Sequence, residues 1–214
     1  ISPKGVYEKD IVLAIAKRVK RALESTSGCK VVLTRTNDRF LSLEERTAIA
    51  NAQKADLFIS LHTNAHKDRN LHGIETYFLN LSDNKESARV AALENATSTR
   101  RISDLENILK DIMLNTKMNE SAELARTVQT NIIKNLKRSY GNVKDLGVKQ
   151  APFYVLLGAE MPSILIETAF ITNKHEEQRL LDKKFQNRLV AGISAGIGFY
   201  IQQMKHVADA GGSR

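Results

Sequence analysis

Residues 161–173 read MPSILIETAFITN, and residues 55–66 read ADLFISLHTNAH. Each block holds a short, almost continuous apolar run, which predicts the strands Ser163–Glu167 and Asp56–Leu61. Runs of this kind are typical of strands that are covered on both faces. Glu167 ends the first run and His62 follows the second. Because open α/β sheets place their sites at the carboxyl ends of strands, these two side chains are candidate functional residues.

The remaining periodicity predicts an α/β protein. Three further runs predict strands: Lys30–Thr34, Ile74–Leu79 and Phe153–Leu157. The helical patterns are an apolar stripe from Val12 to Leu23, a segment Leu41–Gln53 that Ser42 and Glu45 begin with a capping box, and a long segment Phe185–Met204 that Gly192, Gly196 and Gly198 weaken locally. Strands that alternate with helices predict a three-layer α/β sandwich, with a mostly parallel or mixed sheet flanked by helices.

Residues 82–119 form a predicted helical insertion. The segment from Ile74 to Tyr140 contains no Gly and no Pro. Asp83–Ser98 and the stripe Leu105–Met113 both have helical patterns, and they precede a helix over Glu120–Leu136 that belongs to the main fold. Since a crossover between strands needs only one helix, the insertion is expected to be an extra layer or a lid.

Composition limits the class of protein. The 214 residues are 42% hydrophobic and 26% charged, which predicts one domain spanning 1–214. The single cysteine, Cys29, excludes a disulfide scaffold, and no apolar run is long enough for a transmembrane segment. The net charge of +8 favours an anionic partner, but no nucleic-acid-binding motif accompanies it, so we expect no nucleic acid.

Three side chains are candidates for a shared site: Glu8, His62 and Glu167. Each also has a structural explanation. A glutamate in a first helical turn stabilises the helix dipole, and a histidine after a strand is often hydrogen-bonded. Spacing alone leaves both explanations open.

The chain resembles the catalytic domain of zinc-dependent N-acetylmuramoyl-L-alanine amidases, the amidase-3 family of cell-wall hydrolases. Five blocks carry the resemblance: VYEKDIVLAIAKRVKRAL (6–23), VVLTRTNDRFLSLEERTAIAN (31–51), ADLFISLHTNAH (55–66), GIETYFLN (73–80) and MPSILIETAFITNKHEEQRLL (161–181). The resemblance implies one Zn²⁺ ion with Glu8 and His62 as ligands, Glu167 as the catalytic glutamate, peptidoglycan as the substrate and a periplasmic location. The bond cleaved would be the amide between N-acetylmuramic acid and L-alanine.

The family's first zinc ligand is a histidine in a glycine-rich block, and no residue before Glu8 supplies it. We expect this histidine, with its N-terminal strand, upstream of Ile1. His66 and His72 lie in a polar loop and are predicted to be surface residues, and Cys29 is predicted to be structural.

Division amidases of Gram-negative bacteria resemble the chain in carrying a helical insertion at the same point. In them a glutamate in a run like LENA covers the site and binds the zinc. The run here is residues 93–96, so Glu94 is the candidate inhibitory zinc ligand. The resemblance therefore implies autoinhibition, an activator protein that displaces the inserted helix, and a role in daughter-cell separation.

Three alternatives stay open at this point. The chain could be a zinc-free peptidoglycan-binding module, a basic nucleic-acid-binding α/β protein, or a zinc hydrolase that acts on other peptides. The nucleic-acid alternative predicts that Glu8, His62 and Glu167 do not converge.

Overall fold

Four strands and six helices make up the parts of the chain that the computed structural model describes, residues 2–81, 84–97 and 116–211. In chain order they are α1 (Glu8–Thr26), α2 (Leu43–Ala52), β1 (Phe58–Asn64), β2 (Ile74–Leu79), α3 (Lys85–Glu94), α4 (Thr116–Lys137), β3 (Asp145–Ala151), β4 (Ser163–Phe170), α5 (Lys174–Leu181) and α6 (Lys183–Gly211). A short 3-10 turn, Asn95–Thr97, follows α3. None of the helices in these ranges combines the length and apolarity that crossing a bilayer requires.

The strands form one mixed sheet in the order β1-β4-β2-β3. β4 runs parallel to β1 and antiparallel to β2, and β2 runs parallel to β3. All eight residues of β4 are buried, as its apolar sequence predicts for a central strand covered on both faces. The predicted α/β fold with a mixed sheet flanked by helices is confirmed.

The two faces of the sheet carry different layers. Side chains such as Ile164 and Ile166 pack in a core with α1, α4 and α6. Tyr77 and Leu165 lie in a second core with α2, α3 and the segment 151–157. Because side chains alternate along a strand, every second residue of β1, β2 and β4 faces this second layer, which we call the α3 face.

The glycines of α6 allow it to pack closely on α4. A Cβ atom at Gly192 would lie 2.7 Å from Ile132 Cα, and one at Gly196 would lie 2.6 Å from Val128 Cα. These glycines, which weaken the helical pattern in the sequence, are therefore sites of backbone contact between the two helices. The helix predicted over Phe185–Met204 is confirmed and is longer at both ends.

The sequence predicts most of the other helices, although the short α5 was not predicted. Ser42 begins α2 with the expected capping box, in which its hydroxyl accepts from the Glu45 N–H at 3.1 Å. The helix expected over Asp83–Ser98 is present as α3 and the 3-10 turn, so part of the predicted insertion 82–119 is helical. The stripe Leu105–Met113 lies outside the described residues.

Two predicted strands are wrong and one strand was missed. Phe153–Leu157 is buried but forms consecutive turns, in which Leu156 N–H donates to the Phe153 carbonyl. A short apolar run does not distinguish a strand from a buried turn. Lys30–Thr34 has no regular secondary structure, and its residues are partly buried or exposed. β3 was missed because it is a half-exposed edge strand that contains Gly147, at φ +77°, and charged residues.

A groove of about 1060 Å³ lies between the segment Lys30–Thr34 and β1. Apolar side chains of both segments and of α1 line it, among them Leu33, Ile59 and Val19. Within the described residues, β1 pairs only with β4, so the edge of β1 that faces this groove has no strand partner.

Candidate metal centre

His62 lies near the carboxyl end of β1 and faces α3. Its Nε2 lies 3.1 Å from the hydroxyl of Ser60, two residues earlier on the same face of the strand. The hydroxyl of Thr168 on β4 donates to the His62 carbonyl at 2.9 Å. These contacts fix the backbone and one ring nitrogen, and the other nitrogen, Nδ1, faces two carboxylates.

The first carboxylate is that of Glu8, the first residue of α1. Glu8 Oε1 lies 3.1 Å from His62 Nδ1 and accepts from the Thr63 N–H at 2.9 Å. Burial raises the pKa of Glu8, but His62 and the Thr63 N–H outweigh burial and bring the pKa below its usual value. Glu8 therefore stabilises the helix terminus and also reaches the candidate site as an ionised group.

The second carboxylate is that of Glu94, the last residue of α3. Glu94 Oε2 lies 2.9 Å from His62 Nδ1. The following residue, Asn95, fastens this end of α3 to the loop 152–154: its amide donates to the Pro152 carbonyl at 2.8 Å and its Oδ1 accepts from the Tyr154 N–H at 2.8 Å. Arg89 adds a contact from the same helix to the Ala65 carbonyl at 3.2 Å.

Glu8, His62 and Glu94 together form a donor set that suits a metal ion. One ligand atom of each lies within 4.8 Å of the others. Within the described chain, the buried Nδ1 of His62 has no partner of hydrogen-bonding geometry, although two carboxylate oxygens lie beside it. Donors on one tetrahedral Zn²⁺ lie roughly 3.4 Å apart, and zinc accepts imidazole nitrogen and carboxylate oxygen. These residues therefore fit a zinc ion.

The electrostatics of His62 agree with this arrangement. Burial disfavours the imidazolium form, but the carboxylates of Glu94 and Glu8 outweigh burial and hold the pKa of His62 well above its usual value. Two carboxylates thus concentrate negative charge at the point that a cation would occupy.

Glu167 lies on β4, beside His62 in the strand register. Its side chain is fully buried, and neither carboxylate oxygen has a hydrogen-bond partner among the described residues. Burial raises the pKa of Glu167 well above its usual value; His62 opposes this, and Glu94, Glu8 and Glu75 add to it. A buried carboxyl group with unpaired oxygens is suited to taking up and releasing a proton.

The other sequence candidates lie apart from this centre. His66 Nδ1 accepts from the Asp68 N–H at 2.9 Å, and His72 Nδ1 lies 2.9 Å from the Asn70 carbonyl. Neither belongs to the cluster of ligand atoms formed by the described residues. Cys29 is a free, partly buried thiol. The histidine expected upstream of Ile1 stays a prediction.

Sequence reasoning missed the polar residues that surround the centre. Glu75 is the one charged residue of β2, where it is buried, and it pairs with Lys149 of β3. The signal for Glu75 is present in the run GIETYFLN, where one charge interrupts a buried strand. Asn95 carries no comparable signal, because its partners are backbone groups 57 and 59 residues away.

Comparison with known proteins identifies the family. The Amidase_3 family, described as N-acetylmuramoyl-L-alanine amidase, matches residues 1–198. The chain is 32% identical over 216 residues to the amidase AmiC of Escherichia coli O6:H1, which covers 95% of this chain and 50% of that protein. It is 31% identical over 211 residues to the amidase AmiA of Salmonella typhimurium, and the match covers 94% of this chain and 70% of that protein. The chain thus spans about half the length of AmiC and 70% of the length of AmiA.

The fold agrees with solved structures of the same class. An N-acetylmuramoyl-L-alanine amidase from Clostridium difficile 630 superposes with a TM-score of 0.70 at 32% identity, covering 94% of this chain and 88% of that one. Sequence and fold lead to one conclusion: the chain belongs to the N-acetylmuramoyl-L-alanine amidase family.

Proposed function

We propose that the protein is a zinc-dependent hydrolase of the amide bond between N-acetylmuramic acid and L-alanine in peptidoglycan. The observation that carries the proposal is the convergence of the Glu8 and Glu94 carboxylates on Nδ1 of His62, with the buried Glu167 beside it on β4. Family membership supplies the substrate class. The convergence disfavours the nucleic-acid alternative, for which these groups have no reason to meet.

A histidine upstream of Ile1 is proposed as the third zinc ligand of the active state. The groove beside β1 supports this proposal. It is lined by apolar side chains and by the unpaired edge of β1, which are the two features that an additional strand would cover. A strand in this groove would run next to His62, so a residue at its end would reach the same point as Glu8.

The chemistry assigned to the site needs few groups. A zinc ion held by two histidines and a carboxylate would supply a Lewis acid and a bound water of lowered pKa. Glu167 would accept the proton of the attacking water and return it to the departing amine of L-alanine. The described residues donate no hydrogen bond to the carboxylate oxygens of Glu167, so none of them competes with the water for these oxygens.

We further propose that α3 is an autoinhibitory lid and that Glu94 is its inhibitory ligand. With Glu8, His62, Glu94 and the proposed histidine, zinc would have four protein donors, which is the closed coordination of a structural site. No position would remain for water or substrate. Opening of the site then requires the Glu94 carboxylate to leave the coordination position and the hydrogen bonds of Asn95 with the loop 152–154 to break.

Activation is proposed to occur through a protein partner that binds the open form better than the closed form. The region 82–119 is the proposed regulatory insertion, since it contains α3. The protein is proposed to act outside the cytoplasm, on the cell wall, in wall remodelling and daughter-cell separation. The net charge of +8 would favour association with anionic wall material.

The test compares two variants of the full-length protein, loaded with zinc, in a dye-release assay on labelled peptidoglycan. Glu94→Ala should raise basal hydrolysis, because it opens the fourth coordination position. Glu167→Gln should abolish hydrolysis and retain bound zinc, measured by elemental analysis. Lys85→Ala, which removes an exposed charge from the first turn of the same helix, is the matched control and should behave as the parent.

The outcomes separate the alternatives. A parent that binds no zinc and a Glu94→Ala variant without hydrolysis would favour the zinc-free binding module. A Glu94→Ala variant that is no faster than an active parent would refute the lid and leave the hydrolase. Release of a free peptide that begins with L-alanine, detected by mass spectrometry, distinguishes this amidase from a zinc hydrolase of other peptides.

A further inference from the structure

A buried polar network surrounds the carboxylate of Glu75 on β2. Glu75 Oε1 accepts from the Asn64 amide at 2.7 Å and from the Tyr77 hydroxyl at 2.9 Å, and Oε2 accepts from Lys149 Nζ at 2.5 Å. The Glu75 side chain is 2% exposed, whereas that of Lys149 is 26% exposed. Every carboxylate oxygen of Glu75 therefore has a donor, and one donor is a cation.

The network extends the row of polar groups on the α3 face. His62 is the register partner of Glu167, and Glu167 is in turn the register partner of Glu75. Lys149, on β3, is the register partner of Tyr77. One line of charged and polar side chains thus crosses all four strands, from the candidate metal ligand to the outer edge of the sheet.

Asn64 connects this network to the metal centre. The β1–β4 register shifts between His62 and Asn64, so the end of β1 is irregular where it carries the ligand. Backbone contacts hold this segment from two sides: Thr63 N–H donates to Glu8, and the Asn64 carbonyl accepts from the Ile171 N–H at 2.8 Å. From the side of β2, Glu75 holds it through the Asn64 amide.

Stability alone does not explain an ion pair at this place. Burying a carboxylate and an ammonium costs desolvation free energy, and apolar residues of similar volume are often as stabilising. An ion pair does, however, fix one geometry, because only one arrangement satisfies every donor and acceptor. Groups that orient metal ligands from the second layer commonly act in this way.

We propose that Glu75 and Lys149 form a positioning pair that fixes Asn64, and through Asn64 the His62 imidazole, in the geometry needed for zinc. This inference rests on the proposed function, because it assumes that His62 binds zinc. Lys149 orients the Glu75 carboxylate, Glu75 holds the Asn64 amide, and Asn64 holds the irregular end of β1. Neither Glu75 nor Lys149 touches the metal or the substrate.

The test measures zinc affinity of the full-length protein by competition with a chromophoric chelator, together with thermal unfolding of the metal-free form. Glu75→Gln puts an amide N–H against the Lys149 ammonium, or turns its oxygen away from Asn64. Zinc affinity should fall by about 10- to 100-fold, the range known for second-layer partners. Asn64→Leu should lower affinity by a similar factor, and Lys149→Arg should retain most of it.

Gln129→Leu is the matched control. Gln129 is also a buried polar residue with several hydrogen bonds, to Thr76, the Ile74 carbonyl and Asp145, but Thr76 lies on the opposite face of β2 from Glu75. The control should lower the unfolding temperature and leave zinc affinity unchanged. Cobalt substitution gives a second readout, since a displaced His62 changes the visible absorption of bound Co²⁺.

The outcomes separate this inference from the proposed function. Glu75→Gln and Asn64→Leu variants that bind zinc as tightly as the parent, with an unchanged cobalt spectrum, would overturn the positioning role. A parent that binds no zinc at all would overturn the proposed function instead. Loss of affinity in the Gln129→Leu control to the same degree would show that the effect is general destabilisation, which also overturns the inference.

Discussion

Replacing Asn95 with alanine should release α3 and raise the basal activity of the enzyme. The Asn95 side chain makes two hydrogen bonds of 2.8 Å, one to the Pro152 carbonyl and one from the Tyr154 N–H. Both partners are backbone groups of the loop 152–154, from which α3 would separate in the proposed open form. The substitution leaves Glu94 and the other candidate ligands unaltered, so it should change the closing of the proposed lid and not the coordination of the metal.

The magnitude follows from these two bonds. A neutral hydrogen bond contributes about 0.5–1.5 kcal/mol net, so their loss should destabilise the closed state by about 1–3 kcal/mol. While the open form stays a minor population, its share rises by the corresponding factor, about 5- to 150-fold. Basal hydrolysis should rise by the same factor, whereas the rate with a saturating activator should change little.

Dye release from labelled peptidoglycan measures the rate, and limited proteolysis of α3 measures opening without reference to activity. Asn135→Ala is the control, because the Asn135 amide bonds within its own helix, to the Asn131 carbonyl. An Asn95→Ala variant with faster proteolysis but unchanged hydrolysis would refute the link between lid and activity. Unchanged proteolysis would refute the assignment of Asn95 as the fastening residue.

Three further predictions concern stability. Gly196→Ala should destabilise the fold by roughly 1–3 kcal/mol in denaturant unfolding, because its Cβ would lie 2.6 Å from Val128 Cα. Gly198→Ala is the control and should be nearly neutral, because its Cβ would meet only the movable Ser27 hydroxyl. Equal effects of the two substitutions would contradict close packing of α4 and α6. Ser42→Ala should cost about 1 kcal/mol by removing the capping box of α2, and a change within error would mean that the box contributes nothing. Zinc at about 100 times its Kd should raise the free energy of unfolding by about 2.7 kcal/mol, and His62→Ala should remove this increase; a parent insensitive to zinc in calorimetry would contradict the metal centre.

The sequence predicts the core of the fold because the decisive signals are local. The apolar runs around Ser163–Glu167 and Ile74–Leu79 become buried strands, and the capping residue Ser42 begins its helix where expected. Phe153–Leu157 was assigned wrongly because burial alone produces the same apolar run in a turn. β3 was missed because an edge strand tolerates Gly147 and charged residues.

The candidate site also contains some residues that the sequence predicts and others that it does not. In the sequence, Glu8, His62 and Glu167 stand at the ends of a helical stripe and two apolar runs, where sequence reasoning looks for chemistry, and the resemblance added Glu94. The structure places Glu167 inside β4, which continues to Phe170. The structure brings Glu8, His62 and Glu94 together and places Glu167 next to His62 in register. Their roles as ligands and base stay predictions. Glu75 has a local signal, the single charge in GIETYFLN, but its partner Lys149 and the fastening residue Asn95 depend on contacts between distant segments, which no local pattern encodes.

The location of Glu167 on β4 places the proposed proton acceptor on a strand that is not expected to move. β4 is hydrogen-bonded on both sides and buried along its whole length, so its amide protons should exchange with solvent only on global unfolding. Glu94, by contrast, is the last residue of α3, the helix that the proposed mechanism opens locally. Under the proposed mechanism, the proton acceptor would therefore keep its position on the most slowly exchanging strand, while Glu94 would alternate between a bound and a released position.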